Sequence, residues 1–159
     1  MLHIVTASSQ EQVEAAHTLF EEYAAWLHVD LCFQGFEQEL AELPGVYQAP
    51  SGCLLLAYYG EELAGCVGLR RFEGSVCEMK RLFVREEFRG LGIGRALATA
   101  VIEEARRAGY SEMRLDTLSV MKEARSLYSS LDFQEMPPYR YNPIQGAVYM
   151  RLLLKTNRV

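Results

Sequence analysis

A glycine-rich segment at residues 89–94 carries the most specific chemical signal in the sequence. It reads Arg89-Gly90-Leu91-Gly92-Ile93-Gly94 and lies between a predicted strand and a predicted helix. The first amides of a helix have no partner inside the helix, and they form the positive end of its dipole. Glycines also let the backbone approach a ligand closely. The segment therefore predicts a loop that binds a diphosphate, with a turn that merely caps the helix as the alternative.

Two other phosphate-binding motifs are excluded by their spelling. The GxxxxGK[ST] loop requires a lysine after its last glycine, and no lysine follows any glycine of this segment. The GxGxxG fingerprint requires glycine at position 95 or 97, where the chain has Arg95 and Leu97. The sequence thus argues against a P-loop nucleotide enzyme and against a dinucleotide-binding domain.

The segment resembles the Arg/Gln-x-x-Gly-x-Gly/Ala loop of the GNAT superfamily of N-acetyltransferases. Two further segments carry the same resemblance. Glu78–Val84 is similar to the strand that precedes this loop in the family, and Ala124–Phe133 is similar to its A-x-x-L-Y-x-x-x-G-F segment. With the order of predicted elements, the resemblance covers residues 1–155. It implies an α/β fold of the GNAT acyl-CoA acyltransferase type, acetyl-CoA as the acetyl donor, and an amine as the acceptor.

The resemblance implies two sets of contacts with acetyl-CoA. Main-chain groups of Leu82 and Val84 would pair with the pantetheine arm, as an added strand would pair with the edge of a sheet. The amides from Arg89 to Gly94 would hold the pyrophosphate. The expected cofactor-binding residues are Leu82, Phe83, Val84, Arg89, Gly90, Leu91, Gly92, Ile93, Gly94 and Arg95.

Two positions depart from the family pattern. Met121 stands where the family often has asparagine, seven residues before the tyrosine, so one polar contact to the cofactor is absent. Asp132 replaces the glycine before Phe133. Because aspartate also occupies the left-handed region of backbone space, this change predicts a left-handed turn at Asp132.

The resemblance also implies two catalytic residues. Tyr128 matches the tyrosine near the cofactor sulfur, where a phenol donates a proton to the departing thiolate. Core packing beside Leu127 and Leu131 is the alternative for Tyr128. Glu78 lies on the strand that faces the acceptor and could take the amine's proton directly or through water, with an ion pair to an arginine across the sheet as the alternative. A backbone N–H near Val84 is expected to polarise the thioester carbonyl.

The acceptor is the least constrained part of this interpretation. In the family, the acceptor mouth is bordered by the region of residues 137–143 (PPYRYNP) and by the region of Trp26, Phe33 and Phe36. The aromatic rings and the single arginine of these regions would suit a small amine that also bears a carboxylate. The alternative, which is equally expected, is that the aromatic loop simply packs on its own domain. A small-molecule or a protein amine, a homodimer, and a non-catalytic acyl-CoA sensor all stay open.

Hydrophobic periodicity predicts the elements that must position these residues. The order is β-α-α-β-β-β-α-β-α-β-β in one domain spanning 1–159, with a mixed sheet covered by helices on both faces. The predicted strands are Leu2–Thr6, Cys53–Tyr59, Leu63–Arg71, Val76–Val84, Met113–Leu118, Phe133-Gln134 and Ala147–Leu154. The first predicted helix begins at Ser8 or Ser9, in the manner of a capping box with Glu11 or Gln12 three residues on, and its apolar face includes Tyr23. The other predicted helices are Phe36–Leu43, Ile93–Ala108 and Lys122–Leu131. The strands Cys53–Tyr59 and Leu63–Arg71 are predicted to form a β-hairpin.

Composition excludes several other functions. The chain has 159 residues and a net charge of −5, which argues against a general affinity for nucleic acid backbones. It has no window of 18 consecutive apolar residues and no signal-peptide pattern at its start, so we expect a cytoplasmic protein without membrane partners. The four cysteines and three histidines show no metal-ligand spacing, so no metal is expected.

Overall fold

The computed structural model of the protein describes residues 1–27 and 35–154. Over these residues the chain forms the α/β architecture in the order predicted from the sequence. The strands are β1 (Leu2–Thr6), β2 (Cys53–Tyr59), β3 (Glu62–Glu73), β4 (Val76–Val84), β5 (Glu112–Leu118), β6 (Gln134–Met136) and β7 (Ala147–Leu153). The α-helices are α1 (Gln10–Leu27), α2 (Phe36–Glu42), α3 (Ile93–Arg107) and α4 (Lys122–Ser130).

The helix ends follow the local signals of the sequence. The Gln12 amide donates to Ser9 Oγ (3.2 Å), and the Ser9 amide donates to Gln12 Oε1 (3.1 Å), which is the predicted capping box of α1. Gly109 ends α3 with φ 89°, as expected of a C′ glycine. Asp132 has φ 75°, so the predicted left-handed turn after α4 is confirmed.

The sheet has the strand order β1-β2-β3-β4-β5-β7-β6. Adjacent strands run antiparallel except for β4 and β5, which are parallel and are connected through α3. The predicted β2–β3 hairpin is confirmed. β7 lies between β5 and β6 and pairs with β5 along its whole length.

Two hydrophobic cores cover the two faces of the sheet. The larger core contains the buried faces of α3 and Tyr128 of α4, and the smaller contains the buried residues of α1 and Phe36 of α2. Side chains alternate between the faces of a strand. In β2, for example, Leu55 belongs to the larger core, and Leu54 and Leu56 belong to the smaller. The helices therefore hold the sheet from both sides, as the sequence predicted.

Pairing between β4 and β5 is short. It joins Val76 to Glu112, Cys77 to Met113, and Glu78 to Arg114, and no further pair between these strands is formed in the described part of the chain. Beyond these pairs, residues 79–84 of β4 and 115–118 of β5 line an open space. An unpaired strand edge thus faces this space in the middle of the sheet.

A β-bulge in β4 accompanies this opening. Gly68 of β3 pairs with Lys80 and Cys66 pairs with Phe83, so one residue of β3 opposes two residues of β4. Arg81, one of these two, has φ 61°, a left-handed conformation that is unfavourable for a side-chain-bearing residue. Bulges bend the strand that carries them. The sequence analysis did not predict this bulge.

The Arg81 side chain connects the bulge to α2. Its Nε and Nη2 donate to the two oxygens of Glu39 at 3.0 and 2.8 Å, and its guanidinium lies 5.1 Å from the centre of the Phe36 ring. The Tyr47 hydroxyl donates to Glu39 Oε2 at 2.9 Å. Both charged groups are buried, and such pairs need the good geometry seen here to offset their desolvation. The pair therefore fixes α2 on the bulged strand.

Among the described residues no helix is long and apolar enough to cross a membrane, and no three His, Cys, Asp or Glu side chains cluster as metal ligands. Cys53, Cys66 and Cys77 are buried and free, and Cys32 lies outside the described residues.

We expect Arg81→Met to lower the free energy of unfolding by about 3 kcal/mol, because it leaves the buried Glu39 carboxylate without its guanidinium. Urea unfolding measures the change. Arg106→Met is the matched control: it removes a more exposed ion pair with Glu103, which should cost under about 1 kcal/mol. Equal losses in the two variants would show that the Arg81–Glu39 pair does not hold the fold.

Candidate active site

The space between β4 and β5 widens into a cleft of about 860 Å³. Its walls come from both strands, from the loop and helix start after β4, and from α1 and α4. The residues that line it include Tyr23, Trp26, Met79, Lys80, Leu82, Phe83, Val84, Arg89, Gly90, Gly92, Ile93, Gly94, Asp116, Met121, Tyr128 and Asn142.

Free amides line one end of this cleft. The first hydrogen bond of α3 runs from the Ala96 amide to the Gly92 carbonyl (3.1 Å), and the amides from Gly90 to Arg95 donate to no group of the described residues. Gly90 and Gly92 have φ 81° and 79°, which glycine adopts without strain. A Cβ at either glycine would meet no atom within 4 Å. The loop thus presents a concave row of donors to open space, as an anion requires.

Arg89 braces this loop against α1. Its Nε donates to the Val84 carbonyl at 2.9 Å, and its guanidinium lies 4.7 Å from the centre of the Trp26 ring. A guanidinium over an indole face is a favourable cation–π contact. The Trp26 ring in turn packs at 6.0 Å from the Phe83 ring. The side chain of Arg89 therefore positions the loop, while its amide donates to the Glu86 carbonyl at 3.2 Å, so the free row begins at Gly90 and not, as expected from the sequence, at Arg89.

Eight of the ten residues expected to bind the cofactor line the cleft. Leu91 and Arg95 do not: Leu91 is 51% exposed, and Arg95 Nη2 donates to Ser130 Oγ of α4 at 2.7 Å. The backbone amides of Leu91 and Arg95 still belong to the free row at the helix start. Their contribution to this end of the cleft is thus limited to the main chain.

Tyr128 reaches the cleft from the larger core. Its ring packs against Phe133 at 5.7 Å between centroids, and the residue is buried. Burial raises the pKa of its hydroxyl above the usual value, and the neighbouring Tyr23 and Asp116 add to the rise. The phenol therefore keeps its proton throughout the neutral range. Tyr128 thus both packs in the core and lines the cleft, and its role as the acid stays a prediction.

Glu78 is not brought to the cleft. Its carboxylate is fully buried, with Arg140 Nη2 at 2.6 Å from Oε1 and the Tyr139 hydroxyl donating to Oε2 at 2.8 Å. Arg70, opposite it on β3, approaches only to 4.0 Å. The ion-pair alternative for Glu78 is therefore what the geometry supports, with its closest guanidinium coming from the segment before β7. As a general base Glu78 lacks access to an acceptor in the cleft.

The aromatic segment 137–143 packs mainly on its own domain. The Tyr139 ring lies 5.1 Å from Phe72 and 5.2 Å from Tyr149, and Arg140 is bound to Glu78. Asn142 is the residue of this segment that lines the cleft. Arg140 is thus engaged in the ion pair rather than offered to an acceptor.

Of the aromatic residues expected near the acceptor, Trp26 lines the cleft. Phe36 instead packs in the smaller core. Phe33 lies outside the described residues.

Lys80 and Asp116 were missed by the sequence analysis and face each other in the cleft. Lys80 Nζ lies 3.7 Å from Asp116 Oδ1, and Asn142 Nδ2 donates to Asp116 Oδ2 at 3.4 Å. Burial lowers the pKa of Lys80, and the charge of Asp116 opposes this shift. A usable signal was present: both are charged residues in strands at the centre of the predicted sheet, where a buried charge needs a partner or a function.

Tyr23 of α1 was predicted as part of the apolar face of its helix, and it also lines the cleft. Burial raises the pKa of its hydroxyl to about 12. Its ring packs edge to face on Phe83 at 6.0 Å. The cleft is thus bordered by phenols from both faces of the sheet, Tyr23 on one and Tyr128 on the other.

The cleft fits an elongated ligand that ends in a diphosphate. A chain with amide groups could pair with the open edge of β4, and the row of free amides at the start of α3 lies at the end of that edge. This is the arrangement that the sequence resemblance implied.

Comparisons with known proteins identify the class. Residues 14–133 match the family model described as the acetyltransferase (GNAT) family. The chain is 44% identical to an uncharacterized N-acetyltransferase of Schizosaccharomyces pombe, over 84% of this chain and 83% of that protein. The chain therefore belongs to the GNAT acetyltransferase family, and the identification made from the loop and its flanking segments is confirmed.

Solved structures confirm the fold. A GNAT-family acetyltransferase from Staphylococcus aureus Mu50 superposes with a TM-score of 0.79 at 20% identity, covering 98% of this chain and all of that one. The acetyltransferase yncA of Salmonella typhimurium, solved with its cofactor acetyl-CoA, superposes with a TM-score of 0.72 at 21% identity over 99% of this chain and 96% of that one.

Proposed function

We propose that this protein is an acetyl-CoA-dependent N-acetyltransferase that moves the acetyl group to a primary amine by direct attack on the thioester. The observation that carries the proposal is the parting of β4 and β5 next to a row of free amides. Membership of the GNAT family and the acetyl-CoA bound by the structurally similar yncA support the same donor.

The chain's own groups divide the binding of acetyl-CoA between them. The amides from Gly90 to Arg95 receive the pyrophosphate oxygens, and the dipole of α3 favours the negative charge. Main-chain groups of Leu82 and Val84, on the open edge of β4, pair with the amides of the pantetheine arm. The thioester then lies within the cleft and within reach of Tyr128.

In the transfer, acetyl-CoA supplies an activated acetyl carbon, and the acceptor nitrogen bonds to it as the carbon–sulfur bond breaks. A backbone N–H near Val84 donates to the carbonyl oxygen as negative charge grows there. Tyr128, still protonated at neutral pH, donates its proton to the departing sulfur. The acceptor amine must lose a proton, and Glu78 is too enclosed by Arg140 and Tyr139 to take it.

Release of the free coenzyme A thiol during incubation with acetyl-CoA and a panel of amines tests this function directly. Thiol release that depends on an amine, with the acetylated amine identified by mass, supports the transferase. Tight binding of acetyl-CoA without turnover for any amine would favour the non-catalytic acyl-CoA sensor instead.

We expect acetyl-CoA to stabilise the folded protein because it binds only the native cleft. At a ligand concentration near 100 times Kd the stabilisation should be about 2.7 kcal/mol. A thermal shift assay measures it, with ATP and NAD as controls that carry phosphates but no pantetheine arm. A shift with ATP or NAD and none with millimolar acetyl-CoA would contradict the proposed donor.

Gly92→Glu should abolish acetyl-CoA binding measured by calorimetry, because a carboxylate would replace the anion at the start of α3. The substitution also strains a left-handed backbone position. Gly74→Glu is the matched control. Gly74 lies in the β3–β4 turn with φ 55°, and a Cβ added there would meet no atom within 4 Å. A folded Gly92→Glu protein that binds acetyl-CoA as tightly as Gly74→Glu would show that the loop only caps the helix.

Tyr128→Phe should lower kcat by about 10²–10⁴ while leaving the acetyl-CoA Kd nearly unchanged, because the hydroxyl acts as charge develops on sulfur. The variant should keep some activity, because a thiol with a pKa near 8.5 can leave as the thiolate without a proton donor. Tyr58→Phe, on β2, removes a phenol away from the cleft and should leave kcat unaltered. Wild-type turnover by Tyr128→Phe would assign the tyrosine to core packing alone.

A further inference from the structure

Two opposite charges stand in the cleft immediately beyond the point where β4 and β5 part. Glu78 and Arg114 form the last pair of the two strands. Because alternate residues share a face, Lys80 and Asp116 are the next side chains on that same face. Their side chains are only 4% and 9% exposed, yet both residues line the cleft. This pair is therefore placed where the reacting end of a ligand in the gap would lie.

The Asp116 carboxylate is short of close donors. Lys80 Nζ at 3.7 Å and Asn142 Nδ2 at 3.4 Å are its contacts within the described part of the chain, and both are longer than the 2.7–2.9 Å usual for charge-assisted hydrogen bonds. An ionised carboxylate offers about four acceptor positions, and leaving them unfilled in a buried site is costly. An ammonium group entering the cleft would supply the donors that Asp116 lacks.

Lys80 places a positive charge beside this carboxylate. The Lys80–Asp116 pair thus offers a positive and a negative group side by side, 3.7 Å apart. An α-amino acid carries an ammonium and a carboxylate at a similar spacing and can align antiparallel to the pair, so that each charge meets its opposite.

The two faces of the sheet separate the acceptor from the leaving group. Tyr128 belongs to the larger core, on the α3 and α4 face. Lys80 and Asp116 directly follow Met79 and Leu115 of that core, so alternation places them on the opposite face of the sheet. The gap between β4 and β5 joins these two sides. A thioester held in the gap therefore has Tyr128 on one side and the charged pair on the other, and the charge of Asp116 reaches far enough to help raise the pKa of Tyr128.

We propose that Lys80 and Asp116 form the acceptor site and that the acceptor is an α-amino acid, with its ammonium on Asp116 and its carboxylate on Lys80. The proposal rests on the acetyl transfer proposed above and names the substrate class of the same site. It also assigns the proton acceptor to Asp116 in place of Glu78. Asp116 is then a catalytic residue, and Lys80 is a residue that determines specificity.

The protons balance in this scheme. Converting the ammonium to an amide removes two protons from nitrogen. Asp116 takes the first and releases it to solvent, which frees the nitrogen lone pair to attack the acetyl carbon. The second is lost as the carbon–nitrogen bond is completed, and it balances the proton that Tyr128 delivers to the departing sulfur. The products are the N-acetyl amino acid, free coenzyme A and one proton.

The first test compares matched acceptors on the unmodified protein. Thiol release is measured for the common amino acids and for the amines that remain when their carboxylate is removed, such as phenylalanine against phenethylamine and alanine against ethylamine. At least one amino acid should exceed its decarboxylated partner by about 10- to 100-fold in kcat/KM, the value of one hydrogen-bonded charge pair. Equal rates within every pair, or acetylation of polyamines or proteins but of no amino acid, would overturn the proposal.

The second test uses variants of the pair with the preferred amino acid. Lys80→Met should raise KM for the amino acid about tenfold or more with little change in kcat. The kcat/KM values of the amino acid and its decarboxylated amine should then become nearly equal. Asp116→Asn should lower kcat/KM for both members of a pair, with partial recovery in Asp116→Glu. Arg107→Met, which removes an exposed cation on α3, is the control for charge. An unchanged acceptor preference in Lys80→Met would contradict the assignment.

Acetyl-CoA binding, measured by calorimetry in every variant, separates this proposal from the one on which it rests. Unchanged Kd values show that the variants fold and keep the donor site. Absence of acetyl-CoA binding by the wild-type protein would overturn acetyl transfer itself. Binding and turnover with carboxylate-free amines alone would leave acetyl transfer standing and refute the amino acid acceptor.

Discussion

The parting of two parallel strands in the middle of the sheet is the constraint on which the rest of the structure depends. A buried strand edge without partners costs free energy, because backbone amides and carbonyls need hydrogen bonds. The chain leaves such an edge on β4 after only three pairs with β5. A ligand with its own amide groups can satisfy that edge. Binding of an extended chain is thus a consequence of a pairing that the fold leaves incomplete.

The neighbouring elements confine the opening to the gap between β4 and β5. β4 pairs with β3 along most of its length on one side, and β5 pairs with β7 over seven positions on the other. The bulge at Arg81 bends β4, and the buried contact between Arg81 and Glu39 holds α2 against that bend. The two hydrophobic cores also pack against the two faces of the sheet. The gap is therefore a local departure within an otherwise well-paired sheet.

The parts of this arrangement that could be predicted are those with local signals. The glycines at 90 and 92, the capping box of α1 and the turn at Asp132 each depend on a few neighbouring residues, and the sequence indicated all of them. The bulge at Arg81 and the partners of Glu78 could not be predicted in this way. Both depend on contacts between distant parts of the chain, which no local pattern encodes. Arg81 and its partner Glu39 are 42 positions apart, and Glu78 and its partner Arg140 are 62 positions apart.

The end of the β4–β5 pairing also explains why two similar carboxylates have different surroundings. Glu78 is the last residue of β4 that pairs with β5, so the closed sheet and the segment before β7 enclose it, with Arg140 in an ion pair with one of its oxygens and Tyr139 donating to the other. Asp116 lies two residues beyond the corresponding position on β5, where the strands have parted, so its carboxylate borders the cleft. A sequence motif places Glu78 in the strand that faces the acceptor, but accessibility is decided by where pairing stops. That point separates a structural carboxylate from one that can meet an acceptor.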